Sequence, residues 1–96
     1  MDELKTEWVT FMKNLYTLYP DFVGRKLFLT GESYGGKYLP AFSVAILEAN
    51  EKKTYNVTFN LTATLVGDPY TAPLTQRTWT YKIPQALNIL DDYNMP

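Results

Sequence analysis

The stretch Lys26-Leu27-Phe28-Leu29-Thr30-Gly31-Glu32-Ser33-Tyr34-Gly35 decides the fold. Its first half, Lys26 to Thr30, is a short apolar run between Gly24 and Gly31, which is the profile of a buried strand. A helical pattern follows from Tyr34 to Asn50, with Tyr34, Tyr38, Phe42, Ala45, Ile46 and Ala49 on one face. Pro40 lies inside that pattern and has no backbone N–H, which predicts a kink or a restart.

Working upstream, residues 2–19 read as a helix whose apolar stripe is Leu4, Trp8, Phe11, Leu15 and Leu18, with Trp8 a core residue. Lys5, Lys13 and Asn14 fall on the other faces, and Pro20-Asp21 ends the element. Downstream, Asn50 to Asn56 is a polar loop, Val57 to Val66 a strand rich in β-branched residues, and Gly67-Asp68-Pro69 a break. Helix, strand, helix, strand in this order implies a parallel strand pair joined by a crossover helix, which is α/β architecture. Two strands make an incomplete sheet. Further on, Leu74 to Tyr81 is expected to be helical, and Pro84 to Leu90 a short helix with Pro84 in its first turn.

The bulk numbers bound the function. The chain has 96 residues, the size of one small domain at most, and its formal net charge is −1. The lysines and arginines are scattered among acids, so no basic face for nucleic acid is expected. The longest apolar stretch without charges, Tyr38 to Leu47, is far short of the roughly 20 residues that span a bilayer. There is no Cys, hence no disulfide and no thiolate metal site, and no cofactor is expected. There is also no His. Eight tyrosines and five phenylalanines exceed what so short a piece buries alone, so the chain is expected to need the rest of its own protein, or a partner chain, to fold.

The chemical motif is Gly31-Glu32-Ser33-Tyr34-Gly35, a G-x-S-x-G pattern set directly between a strand and a helix. That context is the one a nucleophile elbow requires. Glycines at 31 and 35 let strand and helix approach closely around the serine. The hydroxyl is then held at the carboxyl end of the sheet, where the helix N-terminus aims free N–H groups at a developing oxyanion. The plainer alternative makes Ser33 only an N-cap. For Glu32 the corresponding alternative is a surface carboxylate beside a helix N-terminus.

Leu29 to Ala41, read as L-T-G-E-S-Y-G-G-K-Y-L-P-A, resembles the signature of the serine carboxypeptidase family, with Tyr38 and Pro40 matching as well as the elbow. Leu18-Tyr19-Pro20 is similar to the end of that family's preceding helix. Leu65 to Pro73 is similar to its next strand and G-N-G-x-x-D-P segment. The resemblance spans residues 8–75 and implies a partial α/β-hydrolase: residues 1–69 as a core segment bearing the elbow, and 70–96 as the start of a cap or insertion. It implies an enzyme that removes residues from peptide C-termini through an acyl-enzyme on Ser33, with the Tyr34 N–H as an oxyanion donor. Glu32 would hydrogen-bond the terminal carboxylate of the peptide; two carboxyl groups share a hydrogen bond only when one is protonated, which fits an acidic working pH. A secreted, vacuolar or lysosomal setting follows from the same resemblance. Glu at position 32, rather than Asp, favours peptidase over acyltransferase relatives.

The departures from that family matter as much. Asp68-Pro69 stands where Asn-Gly is usual, and Ala72 where Asp is usual, so the local turn must differ. A serine is a weak nucleophile without a neighbouring base, and this chain has no imidazole to provide one. Asp68, Asp91 and Asp92 read as turn or surface acids, not members of a triad. The chain is therefore expected to be inactive alone, a fragment lacking the catalytic Asp and His. The alternative is an inactive carboxypeptidase-like remnant serving as a structural or interaction subunit. Another G-x-S-x-G hydrolase, a lipase or thioesterase, fits Glu32 and Tyr38 to Pro40 less well. Asn56-Val57-Thr58 and Asn60-Leu61-Thr62 match the glycosylation sequon, with Asn60 expected in a buried strand.

Overall fold

The computed structural model describes residues 1–91. Helix α1 runs Asp2–Leu18, with Asp2 and Glu3 in its first turn, where carboxylates suit the positive end of the helix dipole. Pro20 stops it and opens a 3₁₀ turn, Pro20–Phe22. Gly24, at φ 82°, then swings the chain into strand β1, Leu27–Glu32. The buried face of α1 is Val9, Met12 and Tyr16, spaced three and four apart, with Trp8 and Leu15 partly buried beside it. This corrects the expected stripe: Leu4, Phe11 and Leu18 are exposed. Both stripes have helical spacing, and the choice between them depends on where α2 lies, which periodicity does not specify.

Helix α2, Gly35–Glu51, crosses over to strand β2, Leu61–Gly67, and the two strands pair in parallel from Phe28↔Ala63 to Glu32↔Gly67. This is the α/β architecture expected, a parallel strand pair joined by a crossover helix. Leu29 faces α2 and is buried; its register partner Thr64 meets Ser43 of α2, hydroxyl to hydroxyl, at 2.6 Å. Phe28 and Leu65 lie on the other face and are 51% and 57% exposed. So β1 is not the doubly buried strand its apolar run suggested. Only one face of the two-stranded sheet is covered among the described residues.

The core is Val9, Met12, Tyr16, Leu29, Ala45, Ile46, Ala49 and Phe59. Ile46 is fully buried, and removing a side chain of that size from water stabilises by roughly 1.5–3 kcal/mol. Ala45, Ile46 and Ala49 are thus on the inner face of α2, as expected. Tyr34 and Tyr38 are exposed and Phe42 is half-buried. They form an aromatic row that runs on to Trp8, whose ring stacks on Phe42 at 4.8 Å and on Phe11 at 5.9 Å.

Strand β2 begins four residues later than its β-branched composition suggested. Residues 57–60 are irregular, yet they carry Phe59, one of the two most deeply buried side chains. The Asn50 side chain explains this. Its Nδ2 donates to the Phe59 carbonyl and its Oδ1 accepts from the Phe59 N–H, both at 2.8 Å, so a side-chain amide satisfies the main chain as a neighbouring strand would. Asn60 is exposed, not in a buried strand, and its Nδ2 donates to the Gly24 carbonyl.

Pro40 does not break α2, which continues across it. Beyond β2, α3 spans Pro73–Thr78 and α4 Lys82–Ala86, each shorter than expected. Pro84 sits in the third position of α4 and does not begin it; its missing N–H is still harmless in the first turn. Neither short helix packs on the preceding elements. The radius of gyration is 18.9 Å, well above the roughly 12.5 Å of a compact domain this long. Asp91 is exposed, and Asp92 lies outside the described residues.

Candidate functional site

Ser33 stands between the last residue of β1, Glu32, and the Tyr34-Gly35 start of α2. Its φ is 53°, in the left-handed region that non-glycine residues rarely occupy, and it is exposed. The surrounding bonds hold it there. The Ser33 N–H donates to the Gly67 carbonyl at 3.0 Å, extending the ladder of the sheet by one rung. The Ser33 carbonyl accepts from the Gly36 N–H at 3.0 Å, starting the helix, and from the Tyr70 N–H at 2.8 Å. Backbone strain of this kind costs about 1–3 kcal/mol and persists only where neighbours over-determine it. The N-cap alternative for Ser33 is not what forms: Tyr34 occupies the cap position, and no side chain caps α2.

The glycines around the corner have unequal jobs. A Cβ on Gly31 would come within 2.9 Å of Leu39 Cδ1, the end of a flexible side chain, and one on Gly35 would meet nothing closer than 3.8 Å. The demanding position is Gly36, which the sequence reading passed over. A Cβ there would lie 2.7 Å from Pro69 Cβ, 2.7 Å from Thr71 Oγ1 and 2.8 Å from the Tyr70 nitrogen. Gly36 thus lets segment 69–71 lie directly on the first turn of α2. Pro40 acts at the same spot. Lacking an N–H, it leaves the Gly36 carbonyl without its i+4 donor, and the Thr71 hydroxyl donates to that carbonyl at 3.0 Å.

The turn after β2 is formed by Gly67-Asp68-Pro69. Asp68 takes φ 40°, a conformation Asp tolerates better than most residues, so that Pro69 can keep its own restricted φ. The side chain of Gln76 ties the turn. Its Oε1 accepts from the Thr71 and Ala72 N–H groups at 2.9 Å, and its Nε2 donates to the Pro69 carbonyl at 2.6 Å. Its bond to the Ala72 N–H resembles the reciprocal half of a capping box, in which a side chain inside the helix accepts from the N–H of the cap residue.

Glu32 is exposed at the carboxyl end of β1, paired in register with Gly67, and a Cβ on Gly67 would lie 3.9 Å from its Cγ. Tyr34 directs its ring between Tyr38, at 5.0 Å, and Tyr70, at 6.5 Å, with Lys37 Nζ 5.8 Å from its centre. Its N–H, at the helix start, donates to no acceptor among the described residues. The structure thus brings Glu32, Ser33 and Tyr34 together at one strand-to-helix corner. Among the described residues no group of His, Cys, Asp and Glu is placed to hold a metal ion, and no helix is long and apolar enough to cross a membrane. Sequence reasoning missed Gly36, Tyr70, Thr71 and Gln76. The one available signal was Pro40 four residues after Gly36, a spacing that always frees a helix carbonyl.

Comparison with known proteins agrees with this geometry. The model of the family described as serine carboxypeptidase matches residues 2–95. A probable serine carboxypeptidase of Dictyostelium discoideum is 43% identical over 77 residues, which are 80% of this chain and 15% of that protein. A pheromone-processing carboxypeptidase of Saccharomyces cerevisiae is 30% identical over 95 residues, 98% of this chain and 13% of its own length. The crystal structure of a prohormone-processing carboxypeptidase from Saccharomyces cerevisiae superposes with a TM-score of 0.88 at 30% identity, covering 97% of this chain and 20% of that one. The chain spans only a small part of these relatives, and that part matches them in sequence and in fold as a partial α/β-hydrolase: it belongs to the serine carboxypeptidase family.

Proposed function

We propose that these residues form the nucleophile segment of a serine-type carboxypeptidase, with Ser33 as the acylating serine. The observation that carries the reading is the positive φ of an exposed Ser33 at a strand-to-helix corner. Ser33 Oγ attacks the carbonyl carbon of the last peptide bond. Its proton passes to a base supplied from outside these residues, because the chain contains no His, and an Asp to orient that base comes from outside as well. The Tyr34 N–H donates to the oxyanion, with a second donor from elsewhere in the protein. Collapse of the tetrahedral intermediate expels the C-terminal residue and leaves its former neighbour esterified to Ser33; water then releases that acyl group.

Glu32 binds the terminal carboxylate of the peptide. Its exposure beside Ser33 supports this, and the shared hydrogen bond requires one proton between the two carboxyl groups. Residues 1–69 act as the core segment and 70–96 as the start of a cap; the lack of packing between α3 or α4 and the preceding elements supports a cap beyond Thr71, while Tyr70 and Thr71 still bond to the core. Family resemblance favours a secreted, vacuolar or lysosomal setting.

The test is a serine-directed fluorophosphonate applied to the full-length protein that carries this segment. Labelling that disappears in Ser33→Ala supports the reading. A folded, unlabelled full-length protein overturns it in favour of a non-catalytic subunit.

A further inference from the structure

We infer that Thr71 is a positioning residue for Ser33, and that Gln76 holds Thr71 in place; this rests on the acyl-enzyme reading above. Ser33 and Thr71 are far apart in sequence and joined through three hydrogen bonds. The Thr71 hydroxyl donates to the Gly36 carbonyl at 3.0 Å, the Gly36 N–H donates to the Ser33 carbonyl at 3.0 Å, and the Tyr70 N–H donates to the same Ser33 carbonyl at 2.8 Å. The Ser33 carbonyl therefore has two donors, one from α2 and one from the segment that Thr71 anchors.

Three sequence features are needed together. Pro40 empties the acceptor on Gly36, Gly36 has no Cβ to hold the segment off, and Thr71 brings a hydroxyl to the vacant carbonyl. Removing the hydroxyl leaves a part-buried carbonyl without a donor and frees segment 69–71 to lift from the helix. The Tyr70 N–H would move with it, and one of the restraints that keep Ser33 at φ 53° would be lost. Gln76 acts one layer further out, through the 2.9 Å bonds its Oε1 accepts from the Thr71 and Ala72 N–H groups. Neither side chain has to touch substrate to influence the hydroxyl of Ser33.

Two readouts on the full-length protein separate this inference from the function it rests on. Amide hydrogen exchange at Tyr70 reports the tie whether or not Ser33 reacts. Thr71→Val should speed that exchange about tenfold, the size of one net hydrogen bond, and Thr71→Ser should restore it. The rate of Ser33 labelling by a fluorophosphonate should fall about tenfold in Thr71→Val and recover in Thr71→Ser, with Gln76→Leu giving a smaller loss of the same kind. Unchanged Tyr70 exchange in Thr71→Val overturns the tie. Faster exchange with an undiminished labelling rate overturns the positioning role. A wild-type protein that takes no label removes the acyl-enzyme reading, and the exchange data then judge the tie alone.

Discussion

The main-chain N–H of Ser33 donates to the carbonyl of Gly67 at 3.0 Å, so the residue that begins the turn into α2 is also the last rung of the parallel ladder. Sheet and helix both claim the same residue, and its φ of 53° is the compromise between them. A position strained by its neighbours is one at which stability and function are opposed.

Replacing Ser33 by Gly should therefore stabilise the full-length protein relative to Ser33→Ala by about 1 kcal/mol, because glycine takes positive φ without a Cβ penalty. Both variants should lose fluorophosphonate labelling. Urea denaturation of the two, compared side by side, checks the difference; equal midpoints would mean that the corner is not strained.

Gly35→Ala and Gly36→Ala should behave oppositely although the residues are adjacent. Gly35 has room for a methyl group, and alanine is the better helix former, so stability should hold or rise by up to about 1 kcal/mol. At Gly36 the added Cβ would press on the Tyr70 nitrogen at 2.8 Å, and the loss should be about 1–3 kcal/mol. Thermal melts of the pair make the comparison.

Asn50→Ala should cost about 1–3 kcal/mol, since it leaves the N–H of the buried Phe59 without a partner and its carbonyl with only the Leu61 N–H. A backbone amide at Phe59 that exchanges no faster in the variant than in the wild type would contradict the assignment.

Burial pushes the Tyr16 phenol above its ordinary value of 10.0. The neutral form is the one favoured in the folded state, so this contribution is complete below the unfolded pKa and disappears as pH rises through the folded one. Chemical denaturation from pH 8 to 11 should show a steeper alkaline loss of stability in the wild type than in Tyr16→Phe. Parallel curves would place the ring in water.

Much of this molecule is legible locally. The apolar run before Gly31, the helical pattern after it and the serine between two glycines specify strand, corner and helix within a dozen residues, because each depends on backbone geometry and near-neighbour spacing. The same residues carry the family likeness. What residues 2–19 and 34–50 do not contain is the direction of their partners. Val9, Met12 and Tyr16 rather than Leu4, Phe11 and Leu18 face inward because α2 lies on that side. Phe59 is buried without a strand because Asn50 satisfies its main chain from nine residues away. Gly36 is indispensable to the packing because Thr71, 35 residues on, lies against it. Short-range pattern determined the elements and the corner. Contacts between distant residues decided which faces are buried, where β2 begins and how the serine is held, since those energies exist only once the chain has folded back on itself.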